Sequence, residues 1–357
     1  MNRRIVTGIG VLVVTALALA VWRGMEGPAP AIDVKGRGCG TKAGLLANPE
    51  TQRIWRDRYG IGKVDCETGG SIEMCQDRTL LAGRDFVWLA SLYAIDLCQK
   101  TLGRTLDYHV TFHSPIVFYS WDCVTRELVG MGLVEQVDGV YYITDMPRFA
   151  RLIVAGASWE HRCGLYGKMR VIPTDPTTST SGSEFTALLA AMLLKGQIPE
   201  PDTIERVLPS IGKYIRGLGH LESTSSRLFS KCIRTGMGEC PMFALYESQG
   251  VDFIKQNPAD QTYITDRIRF LYPRPTVWAA HEMIALSAAG TSVMRSMKDK
   301  DLLDFAWKSH GFRTGSIGHA NDRRVLGFDG IPESIVSVIP LPRPAVMDRL
   351  TLDLAQP

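Results

Sequence analysis

The chain carries little net charge, formally +3 from 40 Lys and Arg against 37 Asp and Glu. A nucleic-acid binder is expected to show a clear basic excess, so that class is set aside. No Cys-x-x-Cys pair occurs, which removes the commonest zinc and redox spacings. His109 and His113 stand four apart, but in a strand-like stretch, where that spacing chelates poorly. Neither a metal nor a cofactor is expected. There is no Gly-x-Ser-x-Gly elbow, and the seven histidines are scattered. No nucleophile–base pair can be read from such a pattern. Cys240 is a thiol to weigh as a nucleophile, against a disulfide to Cys232. Tandem repeats are absent as well.

What is present begins at the N-terminus. Arg3 and Arg4 precede an uncharged run from Ile5 to Trp22, closed by Arg23. Basic-then-apolar is the layout of a signal peptide or signal anchor, and the run is long enough to span a bilayer. Residues 1–23 are therefore expected to export the chain. They either hold it at the cytoplasmic membrane or are cleaved to release it. Residues 24–31, rich in Gly, Pro and Ala, read as a linker. Eight cysteines fit an oxidising compartment. Cys232 with Cys240, and Cys66 with Cys75, flank short segments that disulfides would close, although eight cysteines allow many pairings.

At 357 residues two domains are the default. The chain after the linker alternates short apolar runs with helical stretches. Ile32–Lys35, Gly62–Cys66 and Asp85–Leu89 read as strands. Helices are expected from Pro49 to Tyr59, capped by Asn48, from Ser71, and near Ser91. Such repetition means βαβ units on a parallel sheet. Tyr108–Tyr119 and Arg267–Leu286 are long extended stretches, and Pro115 suits a crossover. Between them lie a βα unit starting at Lys168–Pro173, an apolar helix Glu184–Leu194, and a strand Pro241–Tyr246. The chain thus crosses from one lobe to another and returns: lobe one 32–112 plus 275–357, lobe two 113–274. A cleft is expected at the strand carboxyl ends, where open α/β sheets bind ligands.

The hydroxyl-rich loop Thr174–Ser183 precedes the apolar helix, whose first-turn amides lack intrahelical partners. Those amides, the hydroxyls of Ser179, Thr180, Ser181 and Ser183, and the open backbone of Gly182 suit an oxyanion or carboxylate. The same residues also form a capping box, Ser181 with Glu184, which needs no ligand. Thr41, Ser71 and Ser91 are small hydroxyls at strand-to-helix turns of the first lobe. Tyr246-Glu247-Ser248-Gln249 occupies such a turn in the second. Trp121, Trp278 and Tyr246 either line the cleft or pack core, while Trp88 reads as core.

Together Gly69–Met74, Ser114–Asp122, Thr174–Phe185, Gly236–Glu247, Leu271–Trp278 and Ala306–Gly315 resemble bacterial extracellular solute-binding proteins. The class is the type 2 periplasmic-binding-protein fold, with distant similarity to phosphate, sulfate and molybdate binders. The resemblance implies an α/β architecture of two Rossmann-like lobes joined by two hinge strands, Val110–Tyr119 and Arg267–Thr276. It implies Venus-flytrap closure and ligand contacts at Thr41, Ser71, Ser91, Ser181, Gly182, Ser183 and Tyr246. The function it implies is extracytoplasmic capture of a small solute, oxyanion or carboxylate included, for a membrane permease or sensor. Two alternatives stay open: a membrane-anchored scaffold or sensor without a transport role, and an enzyme on the same fold.

Overall fold

The computed structural model describes residues 31–314 and 321–355. The expected N-terminal helix and nearly all of the linker lie outside the described residues. Among the described residues no helix is long and apolar enough to cross a membrane.

The strand–helix alternation builds a parallel edge first. Strand β1 (Ile32–Arg37) pairs in parallel with β2 (Ile61–Glu67) and with β3 (Phe86–Trp88). Helix α1 (Pro49–Tyr59) joins the first two strands. The Asn48 side chain accepts from the Glu50 amide, Pro49 takes the first turn, and Gly60 ends the helix at φ 62°. Each of these residues meets a need of a helix end: a cap, a missing donor and a left-handed stop. Helix α2 (Ser71–Gln76) follows β2, and α3 (Leu92–Leu102) follows β3.

Strand β4 (Tyr108–Trp121) is shared by two sheets. Tyr108–Pro115 pairs with β9 (Trp278–Ala285), which also borders β3. From Ile116 onward it pairs with β7 (Met242–Tyr246) and β8 (Ile268–Pro273). The hairpin β5 (Val134–Val137) and β6 (Val140–Ile143) extends the second sheet beyond β8. The partner change falls at Pro115, which has no amide to give a ladder. Where β8 gives way to β9 the Thr276 hydroxyl donates to the Ile116 carbonyl at 2.6 Å. Both crossing strands therefore switch sheets side by side.

Helix α4 (Thr180–Leu193) is buried along nearly its whole length, which explains why its sequence shows no polar face. Phe185 on it meets Phe118 of β4 at 5.7 Å between ring centroids. Helices α5 (Leu208–Gly217), α6 (Ser225–Thr235) and α7 (Glu247–Gln256) complete this half. The C-terminal helix α8 (Pro344–Leu354) packs on α4 and α5. That places it with the second sheet, whereas the sequence division set it in lobe one.

Two expectations are corrected. Lys168–Pro173 is no strand; it holds only isolated bridges, Ser158 to Lys168 and Ile172 to Phe243. Pro173 cannot continue the ladder. Cys66 does not bond Cys75. The four disulfides are Cys39–Cys66, Cys75–Cys98, Cys123–Cys163 and Cys232–Cys240. Cys66 lies on β2 opposite Gly36 of β1, and Cys39 stands two residues past the end of that strand. Cys75 and Cys98 meet across the α2–α3 packing. Adjacency in the sheet outranks adjacency in sequence.

Candidate ligand cleft

A cavity of about 130 Å³ lies between the two halves. One wall comes from the turns after β1 and β2: Gly38, Thr41, Lys42, Gly70 and Ser71. The facing wall holds Ser179, Thr180, Ser225, Arg227 and Tyr246. A larger groove of about 540 Å³ at Ile153, Trp159, Leu165 and Tyr214 belongs to the second half alone. The smaller cavity is the better candidate, because residues of both halves converge on it and it holds a buried cation.

Of the seven hydroxyl, glycine and tyrosine positions read from sequence, Thr41, Ser71 and Tyr246 line the cavity. The other four stand behind the wall. Ser91 is the N-cap of α3, accepting from the Tyr93 amide at 3.3 Å. Ser181 shares its hydroxyl with Thr174 at 2.8 Å and Ser225 at 2.7 Å. This hydroxyl cluster ties the start of α4 to the start of α6. At Gly182 a Cβ would lie 2.3 Å from the Thr174 carbonyl oxygen, so only glycine fits. Ser183 is buried. The expected capping box is not formed. Ser179, not Ser181, is the N-cap of α4, and its side chain makes no capping bond. Thr224, N-cap of α6, makes none either. The starts of both helices thus border the cavity with first-turn amides that no cap side chain satisfies.

Lys42 went unnoticed in the sequence because lysines are rarely buried. Here it is 2% exposed and lines the cavity. Its Nζ donates to the Leu89 carbonyl at 3.3 Å and lies 5.6 Å from the centroid of the Trp88 ring. Trp88 is core, as expected. Burial pushes the ammonium down to about 7, partly opposed by Glu282.

Behind the cavity sit further buried groups. Glu184 lies one helical turn beyond Thr180, and Glu282 and His281 come from β9. Glu282 and both His281 nitrogens have no hydrogen-bond partner, while the Tyr246 phenol and the Glu184 carboxyl lie close enough to act on each other. Burial pushes Glu282 up to about 8. Burial, then the Glu282 charge, holds Glu184 well above the carboxylate range. Burial chiefly keeps His281 neutral, helped by Lys42. Glu282 is therefore mostly protonated at neutral pH, and burial disfavours the Glu184 charge that would oppose an anion.

Trp121 and Trp278 do not line the cavity. The Trp121 indole donates to the Cys240 carbonyl at 2.7 Å, and Trp278 meets the His113 ring at 5.6 Å. The disulfide to Cys232 removes Cys240 as a thiol nucleophile. Among the described residues no group of three or more His, Cys, Asp or Glu is placed to hold a metal ion.

No family model matches the sequence, and no curated protein matches it. Solved structures do match in fold. A periplasmic thiamin binding protein aligns with TM-score 0.59 at 11% identity, over 92% of this chain and 97% of its own. Iron-bound HitA from Pseudomonas aeruginosa aligns with TM-score 0.54 at 12% identity, over 91% and 99%. The apo ferric ion-binding protein A of Pasteurella haemolytica gives TM-score 0.54 at 12% identity, over 91% and 97%. These neighbours lend no support to the distant similarity with phosphate, sulfate and molybdate binders. At such identities the likeness speaks for the fold alone, and the strand exchange at β4 and β8–β9 agrees with it. The chain has the type 2 periplasmic-binding-protein fold, two α/β lobes joined by two crossing strands.

Proposed function

We propose that the chain is an extracytoplasmic solute-binding protein that captures a small solute bearing an anionic group between its lobes. Lobe one is taken as 32–112 with most of the chain from 275 on, and lobe two as 113–274 together with α8. The observation that carries the reading is the cavity wall itself, which the uncapped starts of α4 and α6 share with the buried Lys42 of the opposite lobe. Orphan amides and a desolvated cation both favour negative charge. Four disulfides fit an oxidising compartment, and the structural neighbours include a periplasmic thiamin binding protein and iron-bound HitA. Delivery to a membrane permease or sensor is the role this assigns.

The test is a thermal-shift and calorimetric screen of the detergent-solubilised chain with oxyanions, carboxylates, amino acids and cationic solutes. Stabilisation by an anionic class is expected. A well-folded chain that no solute stabilises contradicts capture and favours a scaffold role.

A further inference from the structure

We infer that Lys42 selects the charge of the solute: its ammonium, buried in the cleft wall with one hydrogen bond, takes the solute's oxyanion as counter-ion and couples capture to proton uptake. The inference rests on the solute-binding reading above and names the chemistry of that site.

An ammonium has three donors. At Lys42 one is spent on the Leu89 carbonyl, and no ion pair is formed among the described residues. A buried charge in that state is costly unless something pairs it. The groups around it do not supply an ionised partner. From β9 come Glu282, which burial holds up at about 8, so that it offsets the desolvation of Lys42 only in part, and neutral His281, which Lys42 and His113 of β4 push further down. From lobe two come Glu184 and the Tyr246 phenol, both pushed toward their neutral forms chiefly by burial. Past Gly44, His310 is occupied by Asp252 at 2.6 Å. Arg227 stands across the cavity as a second cation. The side open to a partner is thus the cavity, where the amides of α4 and α6 complete an anion's shell.

The proton linkage follows from burial. Burial, partly opposed by Glu282, brings the Lys42 ammonium down to about 7. An anion beside Lys42 raises its proton affinity. Below the Lys42 value the amine is already charged and little is taken up. Above it, binding draws up to about one proton, and affinity falls by at most about tenfold per pH unit.

Isothermal titration of the full chain tests this with sulfate, inorganic phosphate and acetate as probes and ethylenediamine as a cationic control. Sulfate carries no titrating proton of its own in this range. Buffers of unlike ionisation enthalpy report the protons exchanged. An anion is expected to bind, to take up a proton above neutrality, to lose at least about tenfold in affinity in Lys42→Met, and to recover in Lys42→Arg. Lys42→Met removes an unpaired buried charge, so its melting temperature checks that it folds. The pH profile of the unaltered chain gives an answer independent of any variant. An anion that binds Lys42→Met as tightly, or binds the unaltered chain without proton uptake, overturns the inference. Binding of ethylenediamine and no anion overturns it too, while leaving capture of a solute intact. Binding of nothing sinks both readings.

Discussion

Gly70 of lobe one lies so close to lobe two that a Cβ there would sit 2.1 Å from the carbonyl oxygen of Thr178. Its backbone is ordinary extended chain, φ −72° and ψ 136°, so the need for glycine comes from the approaching lobe. Gly70→Ala is expected to hold the cleft ajar. The cost of overpacking, about 1–3 kcal/mol, would weaken the solute found by screening roughly five- to a hundredfold. Little stability should be lost, because each lobe keeps its core. Calorimetry with a melting curve on the same sample checks both halves of this expectation.

Opposed pH slopes are expected from the buried pair behind the cavity. Glu282 binds its proton more tightly in the folded chain, about 8 against 4.5. Its contribution is full below the lower value and is lost as pH rises through the upper one. Lys42 binds its proton less tightly when folded, about 7 against 10.5, so stability rises with pH between those values. In Glu282→Gln the falling limb disappears. Urea unfolding should show this variant gaining on the unaltered chain from about pH 5 to about pH 8.

Arg313 and Glu247 form a buried clamp between the segment after the 300–310 helix and the start of α7. Nε reaches Oε1 at 2.6 Å, the second nitrogen reaches Oε2 at 3.0 Å, and the Tyr272 hydroxyl adds 2.6 Å. Removing one partner strands the other away from water. Glu247→Ala is expected to cost about 3–5 kcal/mol, read as a lower urea midpoint with an unchanged slope.

Disulfide mapping gives a sharp check. Peptide mass spectrometry without reductant should recover all four pairs and no Cys66–Cys75 link. The denatured, unreduced protein should show no free thiol. Removal of the Cys75–Cys98 bond alone, in a double serine variant, should destabilise by about 2–5 kcal/mol.

Much of this fold was legible because its signals are local. Asn48-Pro49 and Gly60 mark α1, Ser91 marks α3, and Pro115 marks the partner change in β4. The β5–β6 hairpin also carries a local signal, Asp138-Gly139, both at positive φ. What stayed hidden depended on tertiary placement. Nothing local shows that Lys42 is buried or that Ser181 bonds Ser225. Glu184 read as a capping residue because the α4 start was placed too late; the helix begins at Thr180, which carries Glu184 inward past the cap. The C-terminal helix was assigned by chain order, yet its apolar face packs on α4 and α5.

The central claim, that two lobes share one solute, is tested most directly by a crystal structure grown with the solute that stabilises the chain most. The account predicts density between Lys42 and Ser71 on one side and Thr180 and Ser225 on the other. Density confined to one lobe, as in the groove at Trp159 and Tyr214, would contradict it.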